Sequence, residues 1–148
     1  MRFRFFASCL MSGAILVAVS AAPSAARSAM VTEMHKVLKK NPYTLELGKD
    51  TSLKDAGKLC VAQRCYEIGV WVWETDRHRA QRFLVFELDR KQLSYLGGYR
   101  IDTKQSFAIE GSKIVFKIRK DWGYEIEFGP DGPPARTWID GENPTLFK

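Results

Sequence analysis

Cysteine and histidine are scarce in this chain, at 3 and 2 residues in 148. His35 and His78 are the only imidazoles available beside the thiols, too few for a zinc site. Glycine-rich phosphate cradles are missing as well: no P-loop and no Rossmann unit can be placed anywhere along the chain. Charge of one sign is not concentrated either. The 23 Lys and Arg face 17 Asp and Glu, a formal excess of +6 that is modest and dispersed, which argues against nucleic acid as a partner. Long uncharged runs are absent with one exception, at the amino terminus.

That exception reads as an export signal. Arg2 and Arg4 supply a positive start, and Phe5 through Ala26 then carries no charge. These are the n-region and h-region of a cleavable secretory signal. Ser24-Ala25-Ala26 ahead of Arg27 fits the small-x-small cleavage pattern better than Arg27-Ser28-Ala29, so the cut is expected after Ala26. An uncleaved anchor is the alternative, because about 20 uncharged residues can span a bilayer as a helix. Pro23 and the run of alanines and serines leave the strongly apolar part too short for that. Cys9 precedes the apolar run, so it cannot be an acylated lipoprotein cysteine and leaves with the signal. The expected organisation is a signal peptide over residues 1–26 and one periplasmic or secreted domain over 27–148, with no stable transmembrane span after processing. Losing Arg2 and Arg4 lowers the excess charge by two, and the balance left favours anionic surfaces only weakly.

Two cysteines survive processing, in Leu59-Cys60-Val61-Ala62-Gln63-Arg64-Cys65. In an oxidising compartment a lone pair so close together reads most simply as one disulfide. A catalytic dithiol expects two intervening residues where this chain has four. A bond across so short a loop contributes about 2 kcal/mol through chain entropy, so it shapes a loop more than it holds a fold.

The periodicity predicts a helix over Val31–Lys40. Val31, Met34 and Leu38, with Val37 beside them, share one face; Thr32 stands near the start and Asn41-Pro42 is the stop. His35, beside this stripe, reads as a half-buried packing residue. Tyr43 to Leu47 is a predicted strand and Gly48-Lys49-Asp50 a turn, while Leu53 to Leu59 is ambiguous between a helical turn and an approach to the disulfide loop. From Tyr66 onward β-branched and aromatic residues predict strands at Tyr66–Glu74, Arg82–Asp89, Leu93–Ile101, Ser106–Ile109, Lys113–Ile118, Gly123–Phe128 and Ala135–Ile139. Short connections make neighbours antiparallel. The predicted fold is therefore mainly β (α+β): a curved antiparallel meander of seven to eight strands with one short N-terminal helix. Ile68, Val70 and Val72 alternate with Trp71 and Trp73, so both faces of that strand are apolar and it should lie centrally between covering layers. Gly97-Gly98 predicts a bulge or bend.

No catalytic constellation is visible, and no cofactor is expected; the chain reads as a non-enzymatic binding protein. Glu74-Thr75-Asp76-Arg77-His78-Arg79 sets carboxylates beside an imidazole, but at a hairpin tip where charges are ordinarily solvated. The same tip, with Arg77, His78, Arg79 and Arg82, concentrates positive charge for an anionic ligand. Trp71, Trp73, Trp122, Tyr124 and Trp138 read either as core or as a platform for sugar rings, and Trp122, in an apparent turn, is the strongest platform candidate. The Cys60–Cys65 loop, with Val61, Ala62, Gln63 and Arg64, is either a staple or a preorganised binding loop that loses little entropy on entering a partner's cleft.

A helix, a Cys-x-x-x-x-Cys loop, a strand holding Trp71 and Trp73, and the hairpin Ala108-Ile109-Glu110-Gly111-Ser112-Lys113-Ile114-Val115-Phe116 together resemble the periplasmic vertebrate-lysozyme inhibitor family. The resemblance covers Leu59 to Ile118. It implies an antiparallel sheet with a helix, and a disulfide-pinned loop that plugs a lysozyme active site, so that the expected partner here is one protein, a hydrolase or host protein. That family carries a histidine between its cysteines; here Gln63 and Arg64 become the polar tips. A net-positive inhibitor would also meet a cationic lysozyme against like charge. The rival expectation is an envelope accessory protein that binds glycan or anionic lipid headgroups through Arg77, His78, Arg79, Arg82 and Trp122.

Overall fold

The computed structural model describes residues 24–41, 51–76, 79–101, 105–119, 122–137 and 145–146. The predicted strand Tyr43–Leu47, the turn after it, and Arg77, His78 and Trp138 lie outside the described residues, as does the signal up to residue 23. Helix α1 (Ser24–Lys39) is followed by β1 (Thr51–Val61), β2 (Arg64–Glu74), β3 (Arg79–Asp89), β4 (Gln92–Ile101), β5 (Phe107–Glu110), β6 (Lys113–Arg119) and β7 (Trp122–Glu127). The strands form two antiparallel sheets, β1-β2-β3-β4 and β5-β6-β7, rather than one curved meander. Mainly β structure with one helix is as predicted. The division into two sheets was not legible because turn chemistry reports which strands are sequential, not where a sheet ends.

The segment Leu53–Leu59 resolves as strand. It pairs along β2 with one irregularity between Asp55 and Gly57, where the Asp55 carboxylate accepts the Gly57 N–H at 2.9 Å. Ala56 is the extra residue, and that bulge blurs the period-two pattern. A second bulge falls at Leu96, beside the predicted Gly97-Gly98 site. The predicted strand Ala135–Ile139 is corrected: within the described residues that stretch makes only an isolated bridge, Arg136 to Thr145. Residues 129–136 are fastened instead by single contacts, the buried Tyr99 hydroxyl donating to the Pro134 carbonyl and the Leu146 N–H to Ala135 at 2.9 Å. Burial pushes the Tyr99 hydroxyl pKa well up.

The first sheet is buried on both faces, as the two apolar faces of β2 predict. One face, with Tyr66, Ile68, Val70, Phe83, Val85 and Tyr99, packs on Ile114, Phe116 and Ile126 of the β5–β7 sheet and on Phe128 just after it. The other, with Trp71, Leu84 and Phe86, takes Met34 and Leu38 of α1. The solvent side of β5–β7 carries charge pairs, including Lys113 to Glu125 at 2.7 Å and Lys117 to Glu110 at 3.2 Å. Strand alternation separates these pairs from Ile114 and Phe116.

The helix differs from expectation at its start. Helix already occupies Ser24, the first described residue and three residues ahead of the expected cut, and Thr32 lies well within it, its hydroxyl donating to the Ser28 carbonyl at 3.1 Å. Met30, not Val31, joins Met34, Val37 and Leu38 on the sheet; His35 is half-buried. Residues 24–29 are exposed, so the described packing of α1 begins at Met30. The end is as read, with Asn41 N–H bonded to the Leu38 carbonyl at 3.0 Å just before Pro42.

One carboxyl sits against the grain of this layer. Glu67 is 6% exposed in the middle of β2. Burial pushes its pKa above the ordinary 4.5, Asp55 adds to the rise, and Lys58 opposes it. The folded state thus holds this proton more tightly than the unfolded chain does. The resulting stabilisation is full below pH 4.5 and is lost as pH rises through the folded value. Glu67→Gln should therefore melt a few degrees above the parent at neutral pH, with the gap closing on acidification. A melting series across this range checks the sign, and a variant that melts lower at neutral pH would contradict it.

Candidate partner-binding hairpin

The β1–β2 hairpin turns on two residues. Val61 pairs with Arg64 and Cys60 with Cys65, so the expected four-residue loop is a strand pair closed by Ala62-Gln63. Ala62 takes φ 52°, at the first central position, where hairpins of the II′ kind ordinarily place glycine. The disulfide forms between directly opposed residues whose Cα atoms are 4.1 Å apart. It staples the hairpin one pair below its turn.

Val61 packs partly on the core between the sheets. Arg64 is anchored rather than free. Its Nε and Nη2 both reach Glu87 Oε1 at 2.8 Å, and Nη1 donates to the Asp131 carbonyl at 2.8 Å. Its guanidinium lies 5.5 Å from the Tyr66 ring centroid. The Glu87 hydrogen bond holds the Arg64 pKa above its ordinary value, so the cation persists at every working pH. Burial raises the Tyr66 pKa, partly offset by Arg64. Arg64 is thereby corrected as a polar tip: one face of the hairpin, β3 and the 129–132 turn share it. Ala62 and Gln63 are the exposed residues of the tip.

Glu87, Asp131 and Tyr66 were missed as members of this cluster. A lone glutamate in the apolar run Phe83-Leu84-Val85-Phe86-Glu87-Leu88 was the available signal, since strand alternation puts it on the inner face with Phe83 and Val85. Nothing local points to Asp131, which arrives through the turn Gly129–Gly132.

No family model, curated protein or solved structure matches the chain. The resemblance to the lysozyme inhibitors thus keeps one structural support, the Cys60–Cys65 bond.

The second predicted surface is distant from the first. Eleven residues of β2 at about 3.3 Å each put its two ends roughly 33 Å apart, so the stapled tip and the basic β2–β3 hairpin cannot form one site. At that other end Arg79 opens β3 opposite Glu74, and the Arg82 guanidinium stacks 4.8 Å from the Trp71 ring. Trp71 is core, whereas Trp73 is 37% exposed. Trp122 opens β7 opposite Arg119 instead of standing in a turn, and Tyr124 packs on the core. Among the described residues no three His, Cys, Asp or Glu are grouped to hold a metal ion, and no helix is long and apolar enough to cross a membrane.

Proposed function

We propose that this chain is an exported, non-enzymatic binding protein that offers the tip of its β1–β2 hairpin to one protein partner, in the manner of the lysozyme inhibitors it resembles. The observation that carries this reading is the clamping of an exposed Ala62-Gln63 turn on both sides, by a disulfide on one pair and by the Arg64 network on the next. A tip held this way loses little freedom on entering a cleft. The left-handed Ala62 adds backbone strain at an exposed position, a feature that concentrates at functional sites. Export is supported by the uncharged amino-terminal run and by a paired cysteine, which suits an oxidising compartment.

Three variants test the reading. Cys60→Ser with Cys65→Ser should cost about 2 kcal/mol without abolishing folding. Arg64→Ala should cost about 2 kcal/mol as well, from a half-exposed ion pair, a charged hydrogen bond and a cation–π contact. Gln63→Ala should leave melting unchanged and weaken capture of an envelope partner at least tenfold, because only the exposed tip has changed. Undiminished capture by all three variants would reject the hairpin as the binding element.

The second reading, glycan or anionic lipid headgroups bound at the opposite end of the sheet, is favoured by the exposed Trp73 close to the stacked Arg82. Capture of glycan or lipid by the Gln63→Ala protein at parental strength, lost in Trp73→Ala, would select it.

A further inference from the structure

Helix α1 leaves part of the sheet face it covers open. Leu88 and Leu93 are a cross-strand pair, one step beyond Phe86 on the helix side, and both are only half-buried. Between them and the helix residues Met30 and Val37 lies a cleft of about 450 Å³, within the size range of small-molecule sites. Its rim is basic. Lys36 comes from α1, Lys40 from the turn just past its end, and Lys91 from the β3–β4 turn. Glu33 is also on the rim and is already paired with Lys36 at 2.6 Å. Lys40 and Lys91 have no ion-pair partner among the described residues. The turn that presents Lys91 is itself strained: Arg90 and Lys91 take φ 46° and 72°, where hairpins ordinarily place asparagine and glycine. Two long cationic side chains in consecutive left-handed positions are a costly way to build a turn, and costs of this kind concentrate at binding sites.

We propose that this cleft binds a single-chain anionic amphiphile, with the chain on Met30, Val37, Leu88 and Leu93 and the carboxylate between Lys40 and Lys91. Charge and shape choose the occupant together. A small inorganic anion would leave the apolar floor in water, and a neutral lipid would leave both cations without a counter-charge. The site is independent of the stapled hairpin tip and of its proposed partner.

Titration calorimetry of the full, oxidised protein with sodium decanoate, 1-decanol and sodium acetate tests the proposal. Decanoate should bind one to one, at least tenfold tighter than decanol, and acetate should give no saturable heat. Lys40→Glu with Lys91→Glu should weaken decanoate at least tenfold while leaving decanol binding and the melting temperature unchanged. Leu93→Ala should weaken both ligands. Equal affinity for decanoate and decanol, decanoate binding indifferent to the two lysine changes, or no saturable binding would each overturn the proposal. So would a glutamate-rich peptide that binds the same cleft more tightly than decanoate.

Discussion

Phe83→Ala is expected to cost about 4 kcal/mol, the upper part of the range for removing a buried aromatic. Phe83 is fully buried in β3 and meets Phe107 and Phe116 edge-on, with ring centroids 4.9 and 5.1 Å away. It thereby joins the four-stranded sheet to both β5 and β6. Truncation removes the transfer term of one ring, leaves a cavity walled by two others, and forfeits two edge-to-face contacts. A domain of this size has only about 5–15 kcal/mol to lose, so much of its stability rests on this ring. Urea unfolding should show the midpoint falling with the slope nearly unchanged. A loss below about 2 kcal/mol would mean that the sheets are not held together at this point.

Gly123→Ala should cost about 3 kcal/mol and lower the melting temperature by roughly 10 °C, although it adds a single methyl group. The Cβ it introduces would fall inside contact distance of the Phe116 carbonyl oxygen and 3.2 Å from its carbon. The obstacle is backbone, which cannot rotate aside as a side chain would. Gly123 pairs with Lys117 next to the irregularity between Lys117 and Arg119, so the close approach follows from how β7 enters the sheet. To relieve it β7 must shift, taking Tyr124 and Ile126 from their places on the core. Gly111→Ala is the control, since a Cβ there meets nothing nearby and only its φ of 61° is strained, a cost of about 1 kcal/mol. Similar losses at both glycines would remove the crowding explanation.

The anchoring of Arg64 alters what the inhibitor reading asks of the hairpin. A free arginine at the tip would have been the natural hot spot for a partner. Here its donors are directed at Glu87 and Asp131, and what is left for recognition is a small, shaped turn of Ala62 and Gln63. A partner would read backbone and shape there more than charge. Such a surface also avoids adding positive charge at the contact when the target is cationic.

Local pattern sufficed where chain neighbours decide the outcome. The strands from Tyr66 to Glu127 follow from period-two alternation, the disulfide from two cysteines five positions apart, and the central position of β2 from apolar residues on both its faces. The helix end follows from Pro42, which cannot continue it. Long-range arrangement decided the rest. That the sheet stops after β4 depends on Phe107, Phe116 and Ile126 finding the inner face of β2–β3, contacts with no local signature. That Arg64 is structural depends on Glu87 and Asp131, 23 and 67 positions away. The helix-side cleft likewise arises because α1 lies over Phe86 and leaves a gap between its Met30–Val37 flank and the Leu88–Leu93 pair. How a helix settles across a sheet is set by packing, and no residue pattern in either element states it.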